Sequence, residues 1–310
     1  MNSIVAVGGL HFGTLLTQAE ATNILYLGVD GGIDLIDTAP LYGAGNSESI
    51  IGKALEKISN SPRIKTKVGL LVTTNKYGQF SVKTSQLIKK NIQFYVDNTI
   101  SSLKIERNDI LTLHAFDSST PLEETVSAVN ELVKHGKIKS ISCSNFNPDQ
   151  LKKLIDCCDV TSTPIERAQV HHNPIDRRVE NKFTKLCESS QRQIHSNRAL
   201  ARGALSNMYE DIPRGSRAHS SLRIKKWISA KRVNIISKKH NRSLVDATIM
   251  WFKKKNFAVR LIMGARILEQ FKEIPNTKTL KINNDLIEEI EVFLALFTSI
   301  SFPPGKYFEK

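Results

Sequence analysis

Apolar residues along the chain follow two spacings: short continuous runs, and longer segments with apolar positions three and four residues apart. The runs are typical of buried parallel strands and the longer segments of amphipathic helices. The run at residues 33–36 illustrates the strand pattern, since it lies between a glycine pair and Asp37. Eight such strands are predicted, at residues 4–9, 33–37, 63–68, 109–114, 137–143, 164–170, 193–197 and 258–263.

Helical patterns separate these strands, and several carry start signals. Thr120 is the predicted N-cap of the fourth helix, with Pro121 at its first position and Glu123 completing a capping box. Asn147 and Ser243 are predicted N-caps of two later helices. The other helical patterns cover residues 19–27, 47–58, 88–103, 179–187, 222–239, 245–255, 268–274 and 285–296.

Eight strands alternating with helices over 310 residues predict an α/β fold, a (β/α)8 TIM barrel. We predict a single domain over residues 1–310, with an additional C-terminal helix and an irregular tail over residues 298–310. A doubly wound dinucleotide-binding fold is the alternative, and it would place G-x-G-x-x-G after the first strand. Residues 8–13 read Gly-Gly-Leu-His-Phe-Gly, which has the wrong glycine spacing, so the barrel is preferred.

Positive charge dominates the composition, with 44 Lys and Arg against 30 Asp and Glu and a net charge of +14. This balance suits proteins that bind nucleic acid, anionic membranes or anionic ligands. The basic residues form short clusters inside helix-like segments, which indicates solvated helix faces, and no basic stripe has interleaved aromatic residues. The expected partner is therefore a small molecule, with no nucleic acid and no membrane, and a monomer is the favoured oligomeric state.

The sequence predicts neither a membrane span nor a signal peptide. No apolar run reaches the roughly 20 residues of a membrane helix, and the N-terminus lacks basic and apolar signal regions. The four cysteines fit no zinc-ligand spacing, so no metal is expected and the thiols are predicted to be reduced. These features favour a cytoplasmic protein.

Titratable side chains stand at the carboxyl ends of three consecutive predicted strands. Asp37 ends the second strand, Tyr42 lies in the glycine-bounded loop beyond it, Lys67 ends the third strand and His114 ends the fourth. Each has an ordinary explanation by itself, as a helix cap, a surface tyrosine, a solvated charge or a core histidine. The carboxyl ends of barrel strands form the chemical face, so their joint occurrence there favours an active site.

These residues lie in motifs that resemble the aldo-keto reductase family. Residues 32–43 match the family signature G-x-x-x-x-D-T-A-x-x-Y-G, and residues 45–55 match its continuation, G-x-S-E-x-x-x-G-x-x-L. Weaker matches follow in the family's order as far as about residue 274, among them Lys67-Val68-Gly69, Leu113-His114, Ser144-Asn145-Phe146, Gln169, Asn173-Pro174 and Gly264-Ala265-Arg266. The resemblance implies a barrel enzyme of this family.

The resemblance also implies a reaction: reduction of an aldehyde or ketone, a sugar among the candidates, by NADPH, with NADH as the alternative. Asp37, Tyr42, Lys67 and His114 would form the catalytic tetrad. Tyr42 would donate a proton to the carbonyl oxygen, because Lys67 lowers the pKa of its phenol from about 10. Asp37 would hold Lys67 charged, and His114 would orient the carbonyl.

A set of cofactor contacts follows from the same resemblance. Ser144, Asn145 and Gln169 match positions that hold the nicotinamide carboxamide, and His172 stands where the family has a stacking tyrosine. Arg266 lies where a 2′-phosphate would need a cation, which predicts a preference for NADPH. The full expected set is Gly13, Thr14, Asp37, Ser144, Asn145, Gln169, His172, Leu200, Arg202, Gly203, Gly264, Arg266 and Gln270.

Several positions depart from the family's pattern. Besides His172, Ser142 replaces a usual glycine and Ile274 replaces an asparagine that contacts adenine. Lys65 would share a strand face with Lys67, and the resemblance gives it no role. These departures leave open a reductase-like protein that binds the cofactor or regulates without useful turnover, and the charge of +14 leaves open a nucleic-acid-binding protein.

The sequence does not name the substrate, because the loops that line barrel sites vary freely. The lining is expected to combine apolar walls with a few polar groups. The residues expected to form it are His11, Phe12, Leu41, Phe80, Phe116, the loop at residues 208–221 and Phe302.

Overall fold

Eight parallel strands close into a barrel in the computed structural model, which describes residues 3–74, 80–206, 224–274 and 277–301. Around the barrel the order is β1, β2, β3, β6, β7, β8, β9 and β10, and β10 pairs again with β1. The (β/α)8 prediction is confirmed. In chain order the described strands are β1 (Val5–Gly8), β2 (Leu35–Asp37), β3 (Arg63–Val68), β4 (Leu70–Thr74), β5 (Phe80–Thr84), β6 (Asn108–Leu113), β7 (Ile138–Ser144), β8 (Ile165–His171), β9 (Gln193–Asn197) and β10 (Val259–Met263).

Helices surround the barrel, and two of the predicted caps are confirmed. The Asn147 side chain accepts the backbone N–H of Gln150 at 2.8 Å, and the Ser243 hydroxyl accepts that of Asp246 at 3.0 Å. Among the helices that the structure describes, none is long and apolar enough to cross a bilayer. The helices are α1 (Gln18–Asp30), α2 (Ser47–Leu55), α3 (Lys89–Leu103), α4 (Leu122–Lys134), α5 (Pro148–Thr161), α6 (Lys182–Ser189), α7 (Ile224–Lys239), α8 (Leu244–Lys253), α9 (Leu268–Lys272) and α10 (Asn284–Ser301).

The predicted start of the fourth helix is wrong by one residue. Pro121 is itself the N-cap of α4, with φ −53° and ψ 134°, and no side chain caps this end. Because ψ is extended, Pro121 does not occupy the first helical position. Thr120 therefore precedes the N-cap and Glu123 is the second helical residue, so the two do not form a capping box.

Two features of the fold lie outside the sequence prediction. The strands β4 and β5 form an antiparallel hairpin that follows β3 directly, at the carboxyl end of the barrel. At the C-terminus, α10 continues to Ser301, so the tail does not become irregular at residue 298 as predicted. The single-domain organisation stays a prediction.

Charged and polar side chains fill much of the barrel interior, whereas the apolar core lies between the strands and the helices. One apolar cluster consists of Ala6, Leu35, Ile110 and Ile262, which come from four of the barrel strands. Elsewhere the strands direct buried polar side chains inward, among them Lys65, Lys67, Arg167, Gln169 and His195. Barrel interiors are usually dominated by branched apolar residues. A buried cation carries a large desolvation cost unless it is paired, so this interior requires a hydrogen-bonded network.

Candidate active site

Four side chains predicted from three strand ends meet at one rim of the barrel. The Lys67 ammonium donates to Asp37 Oδ2 at 2.7 Å and to the Thr38 carbonyl at 2.7 Å. Its Nζ atom lies 4.4 Å from the centre of the Tyr42 ring. The rings of Tyr42 and His114 meet edge to face, with their centroids 6.1 Å apart. Lys67 therefore joins a carboxylate and a phenol, and the imidazole stands beside the phenol.

The position of Tyr42 depends on a close backbone contact of the next residue. Gly43 has φ +59°, and a Cβ atom there would lie 1.7 Å from the carbonyl oxygen of Phe12. Its N–H also donates to the Leu10 carbonyl at 3.2 Å. Only glycine fits such an approach, which fixes the Tyr42 loop against the loop that follows β1.

A buried carboxyl group on α2 supports the strand that carries Lys67. Glu48 accepts hydrogen bonds from the hydroxyls of Thr66 on β3 and Thr99 on α3. Burial raises the pKa of Glu48, and its two threonine partners oppose this effect without overcoming it. The contacts join three elements immediately behind Lys67.

Asp37 and Lys67 form a charged pair despite complete burial. Burial disfavours the carboxylate of Asp37, but Lys67 first and Lys65 second favour it, and together they hold the pKa of Asp37 below its usual range. Burial likewise disfavours charge on Lys67, yet Asp37 and Tyr42 together raise the pKa of this amine. Each charge thus stabilises the other.

The expected net lowering of the Tyr42 pKa is wrong for this structure. Burial is the largest influence and raises the pKa of the phenol, while Lys67 acts in the predicted direction with a smaller effect. Burial also lowers the pKa of His114 to about 3, assisted by the charge of Lys67. The imidazole of His114 is therefore neutral at pH 7 and can form hydrogen bonds without carrying charge.

A second buried amine lies on the other side of Asp37. The Nζ atom of Lys65 is 3.2 Å from Asp37 Oδ1, an approach that is not aligned as a hydrogen bond. Lys65 also donates to Gln169 Oε1, and its Nζ lies 3.2 Å from His195 Nδ1. The other ring nitrogen of His195 is 2.9 Å from Arg167 Nη1. A chain of polar contacts therefore runs inward from Asp37 through the barrel.

Comparison with known proteins identifies the family. The sequence pattern that defines the Aldo/keto reductase family matches residues 5–295, which is most of the chain. The chain belongs to this family. It is similar to the aldo-keto reductase YhdN of Bacillus subtilis (strain 168), with 26% identity over 98% of this chain and 91% of the relative. An NADH-specific methylglyoxal reductase of Escherichia coli (strain K12) is 28% identical, over 81% of this chain and 80% of the relative.

A further relative and a solved structure are also similar to this chain. An L-glyceraldehyde 3-phosphate reductase of Escherichia coli (strain K12) is 25% identical over 85% of this chain and 80% of the relative. The solved structure of the glycerol dehydrogenase AKR11B4 from Gluconobacter oxydans shares the fold with a TM-score of 0.84 and 23% identity, over 98% of this chain and 95% of that one. This aldo/keto reductase is accordingly a nicotinamide-dependent oxidoreductase.

The three residues expected at the nicotinamide carboxamide lie at neighbouring strand ends. Ser144 on β7 pairs in register with Gln169 on β8. Asn145 follows with φ +60°, and its amide donates to the His114 carbonyl at 2.9 Å. Because the Gln169 oxygen accepts from Lys65, its NH2 group remains as a donor. A hydroxyl and two amides beside His114 form a donor and acceptor set that fits a carboxamide.

The stacking position predicted for His172 is wrong. The ring of His172 is fully buried in the outer layer, where it packs against Trp251, Phe252 and Phe257 at centroid distances of 5.4, 5.3 and 5.8 Å. Its Nε2 atom lies 2.9 Å from Glu180 Oε1. Successive strand residues face opposite sides of a sheet, and His172 falls on the side of the helices. It therefore leaves the cofactor set.

His171 is the histidine that shares the strand face of Gln169, two residues after it. It pairs in register with Asn197 at the end of β9. Burial, aided by Arg198 and Arg202, lowers the pKa of His171 to about 3, so its ring is neutral at pH 7. Side chains on β8 alternate between its two faces, and this alternation is the sequence signal that distinguishes His171 from His172.

The loop expected along the pyrophosphate has an unusual backbone. Ala201 and Arg202 have φ of 49° and 62°, and Arg198 just before them has φ of 54°. Left-handed conformations at non-glycine residues cost free energy and concentrate at ligand-binding loops. Leu200 and Gly203 flank this turn, so the structure places the predicted residues in one strained segment after β9.

The remaining predicted cofactor residues lie on two loops of the same rim. Gly13 and Thr14 are exposed after β1, and Gly264 follows β10. The Gln270 side chain accepts the backbone N–H of Arg266 at 2.9 Å, which makes it a support for the Arg266 loop. The Arg266 side chain is half-buried.

The expected substrate lining is placed only in part. His11, Leu41 and Phe116 are half-buried, whereas Phe12 is packed inside the apolar core and lines no open surface. Phe80 belongs to the β4–β5 hairpin. Residues 208–221 and Phe302 lie outside the described residues. In the described ranges, no group of three or more His, Cys, Asp and Glu side chains is arranged to hold a metal ion.

Proposed function

We infer that this aldo/keto reductase reduces the carbonyl group of a small aldehyde or ketone with NADPH. The observation that supports this most directly is the position of Lys67, whose ammonium contacts the Asp37 carboxylate and faces the Tyr42 ring. The bound cofactor would supply the hydride. Negative charge then develops on the carbonyl oxygen, and a positioned acid must supply a proton.

Tyr42 is the proton donor in this proposal. Transfer of its proton leaves a phenolate, which the Lys67 ammonium stabilises from its position 4.4 Å from the centre of the Tyr42 ring, while Asp37 keeps Lys67 charged. Burial raises the pKa of the Tyr42 phenol, and Lys67 opposes this effect, which is the direction that helps Tyr42 give up its proton. Neutral His114 donates a hydrogen bond to the same oxygen and orients it.

The cofactor would be held by the residues at the strand ends. Ser144, Asn145 and Gln169 would bind the carboxamide, and His171 would take the place first given to His172 against the ring. Arg266 would bind a 2′-phosphate, since a guanidinium fork suits phosphate geometry. The relative from Escherichia coli named for NADH specificity makes this cofactor preference a separate proposal from the reaction.

The substrate class is proposed as a small polar carbonyl compound. Relatives named for methylglyoxal and for L-glyceraldehyde 3-phosphate act on short aldehydes, which suits this class. The free thiols of Cys143, Cys158 and Cys187 are buried, which fits a reducing cytoplasmic location, and this location is likewise a proposal.

The test is Tyr42→Phe, assayed by NADPH absorbance against a panel of small aldehydes and ketones. We expect kcat/KM to fall about 10²–10⁴-fold, because the acid is removed, while the NADPH Kd changes little. Tyr26→Phe is the matched control, since Tyr26 is exposed on α1 and should leave kcat/KM unchanged. Undiminished turnover in Tyr42→Phe would refute the assignment. Wild-type protein that binds NADPH without single-turnover oxidation would favour a binding or regulatory role.

A further inference from the structure

The proposed reaction gives no role to Lys65, an amine that is fully buried inside the barrel. This amine contacts the two groups on which the site depends most: the carboxylate behind Lys67 and the amide expected at the cofactor. It lies 3.2 Å from Asp37 Oδ1 and donates to Gln169 Oε1. On its third side it lies 3.2 Å from His195 Nδ1.

Arg167 fixes the proton of the His195 ring. A guanidinium can only donate hydrogen bonds, and Arg167 Nη1 lies 2.9 Å from His195 Nε2, so this nitrogen must be the acceptor. Burial, with the nearby cations, holds the pKa of His195 well below its usual range, so the ring is neutral. A neutral imidazole with an unprotonated Nε2 carries its proton on Nδ1 and directs it at Lys65.

An ammonium group cannot accept that proton, because it has three donors and no lone pair. An uncharged amine satisfies both hydrogen-bonded neighbours. Its lone pair accepts from His195 Nδ1 and one N–H donates to Gln169 Oε1, while Asp37 Oδ1 lies 3.2 Å away without an aligned hydrogen bond. The hydrogen bonds of Lys65 with Gln169 and His195 therefore favour its uncharged form.

We propose that Lys65 is a positioning residue of this site, a buried amine whose uncharged form is stabilised by the His195–Arg167 pair and which fixes the amide of Gln169 toward the cofactor. By holding the amide oxygen, Lys65 keeps the NH2 group of Gln169 directed away from the barrel interior. Above about pH 8, uncharged Lys65 also leaves Lys67 as the single cation paired with Asp37. The role at Gln169 rests on the proposed function; the protonation state rests on the contacts alone.

The charges that face Lys65 come from several strands. Burial disfavours its ammonium form most, Asp37 on β2 favours that form, and Lys67 on β3 and Arg167 on β8 oppose it, which together lower the pKa of Lys65 to about 8. Arg260 on β10 contributes to the lowered pKa of the His195 imidazole. The amine is therefore uncharged above about pH 8 and gains charge as the pH falls.

This change of charge has a consequence for cofactor binding. An ammonium that contacts Gln169 repels oxidised nicotinamide, which is cationic, more than reduced nicotinamide, which is neutral. We expect the Kd of NADP⁺ to rise on the order of tenfold between pH 9 and pH 7, with a smaller change for NADPH. In Lys65→Met the difference between the two cofactors should be independent of pH over this range.

The state of the amine is measured in wild-type protein without cofactor, by NMR of protein labelled at lysine Cε and at the histidine ring nitrogens. Lys65→Arg and His195→Gln identify the two signals. We expect the Lys65 signal to titrate with a midpoint at about 8 or lower, and His195 to be the Nδ1–H tautomer at pH 9. A midpoint in the ordinary lysine range, about 10.4, or an Nε2–H tautomer would overturn the proposal.

The proposed reaction and the inferred state of Lys65 can fail independently of each other. If the protein reduces no carbonyl but Lys65 titrates as expected, the proposed function is wrong and the protonation state stands. If reduction depends on Tyr42 while Lys65 remains an ammonium throughout, the inference about Lys65 is wrong and the function stands. If Lys65 titrates at the expected midpoint of about 8 but the wild-type Kd of NADP⁺ does not depend on pH, the proposed link between Lys65 and the cofactor is wrong.

Discussion

At the scale of single residues, the site is organised by Asp37, which lies within 3.2 Å of one buried amine and 2.7 Å of another. Burying three ionisable groups costs free energy that only mutual pairing offsets. Removing one member leaves the others unpaired in a region of low dielectric, so substitutions here act on the network rather than on one contact. This coupling can be measured.

The first residue-scale prediction concerns Lys67 and Tyr42. Lys67→Met should lower kcat/KM about as much as Tyr42→Phe, and the double variant should be little worse than either, because the two groups act as one unit. The measurement is a double-mutant cycle on kcat/KM. Rate losses that multiply would instead assign the two residues to independent roles.

A second residue-scale prediction concerns Arg266. If its guanidinium binds the 2′-phosphate, Arg266→Ala should lower kcat/KM for NADPH about tenfold or more and leave that for NADH nearly unchanged. Arg107, at the end of the barrel remote from the strand ends that carry the site, offers a control as Arg107→Ala. An unchanged ratio of kcat/KM for the two cofactors, or a wild-type preference for NADH, would contradict the assignment.

At the scale of elements, helices hold the strands in place through close contacts that the sequence motif encodes. Glu48 on α2 joins β3 and α3 through two threonine hydroxyls. One turn later, Gly52 lets α2 approach the backbone of α3, since a Cβ atom there would lie 2.5 Å from the carbonyl oxygen of Ser102. The spacing of the signature residues in this chain therefore has a packing reason as well as a chemical one.

Gly52→Ala tests this packing, because the usual effect of the exchange has the opposite sign. Inside a helix, alanine is normally favoured over glycine by about 1 kcal/mol. Here the added methyl meets backbone atoms that cannot move alone, so we expect the free energy of unfolding to fall by about 1–3 kcal/mol. Urea denaturation measures it. Gly28→Ala on α1 is the control, since side-chain atoms surround that position and can shift; a stabilised Gly52→Ala would contradict the packing argument.

At the scale of the whole molecule, burial controls ionisation throughout the barrel. Two inward-facing histidines, His114 and His171, have a pKa of about 3, and burial also lowers the pKa of His172 and His195. In the unfolded chain each would titrate at about 6.5. The unfolded state therefore binds more protons than the folded state below that pH.

The consequence is a loss of stability as the pH falls through about 6.5. Each buried histidine should lower the free energy of unfolding by about 1.4 kcal/mol per pH unit, continuing to about pH 3 for His114 and His171. Urea denaturation at about pH 7, 6 and 5 measures the slope. His114→Phe should reduce it by one histidine's share, whereas His135→Gln, at an exposed position, should not. A flat profile would mean that these rings accept protons in the folded state.

The sequence alone determined the barrel and the position of the four proposed catalytic residues. Both depend on local patterns: apolar runs that mark strands, and polar residues at strand ends, which barrel topology brings to one rim. Asp37, Tyr42, Lys67 and His114 could therefore be placed together before any contact was known. The caps at Asn147 and Ser243 were equally local, since each depends on residues within one turn.

Tertiary structure alone decided which way neighbouring side chains point and what surrounds them. His171 and His172 are adjacent, yet one faces the barrel and the other the helices, because each step along a strand reverses the face. The net direction of the Tyr42 pKa depended on desolvation, which only the packed molecule defines. Lys65 gained its partners from β8 and β9, more than 100 residues away, and no local pattern encodes contacts across a barrel.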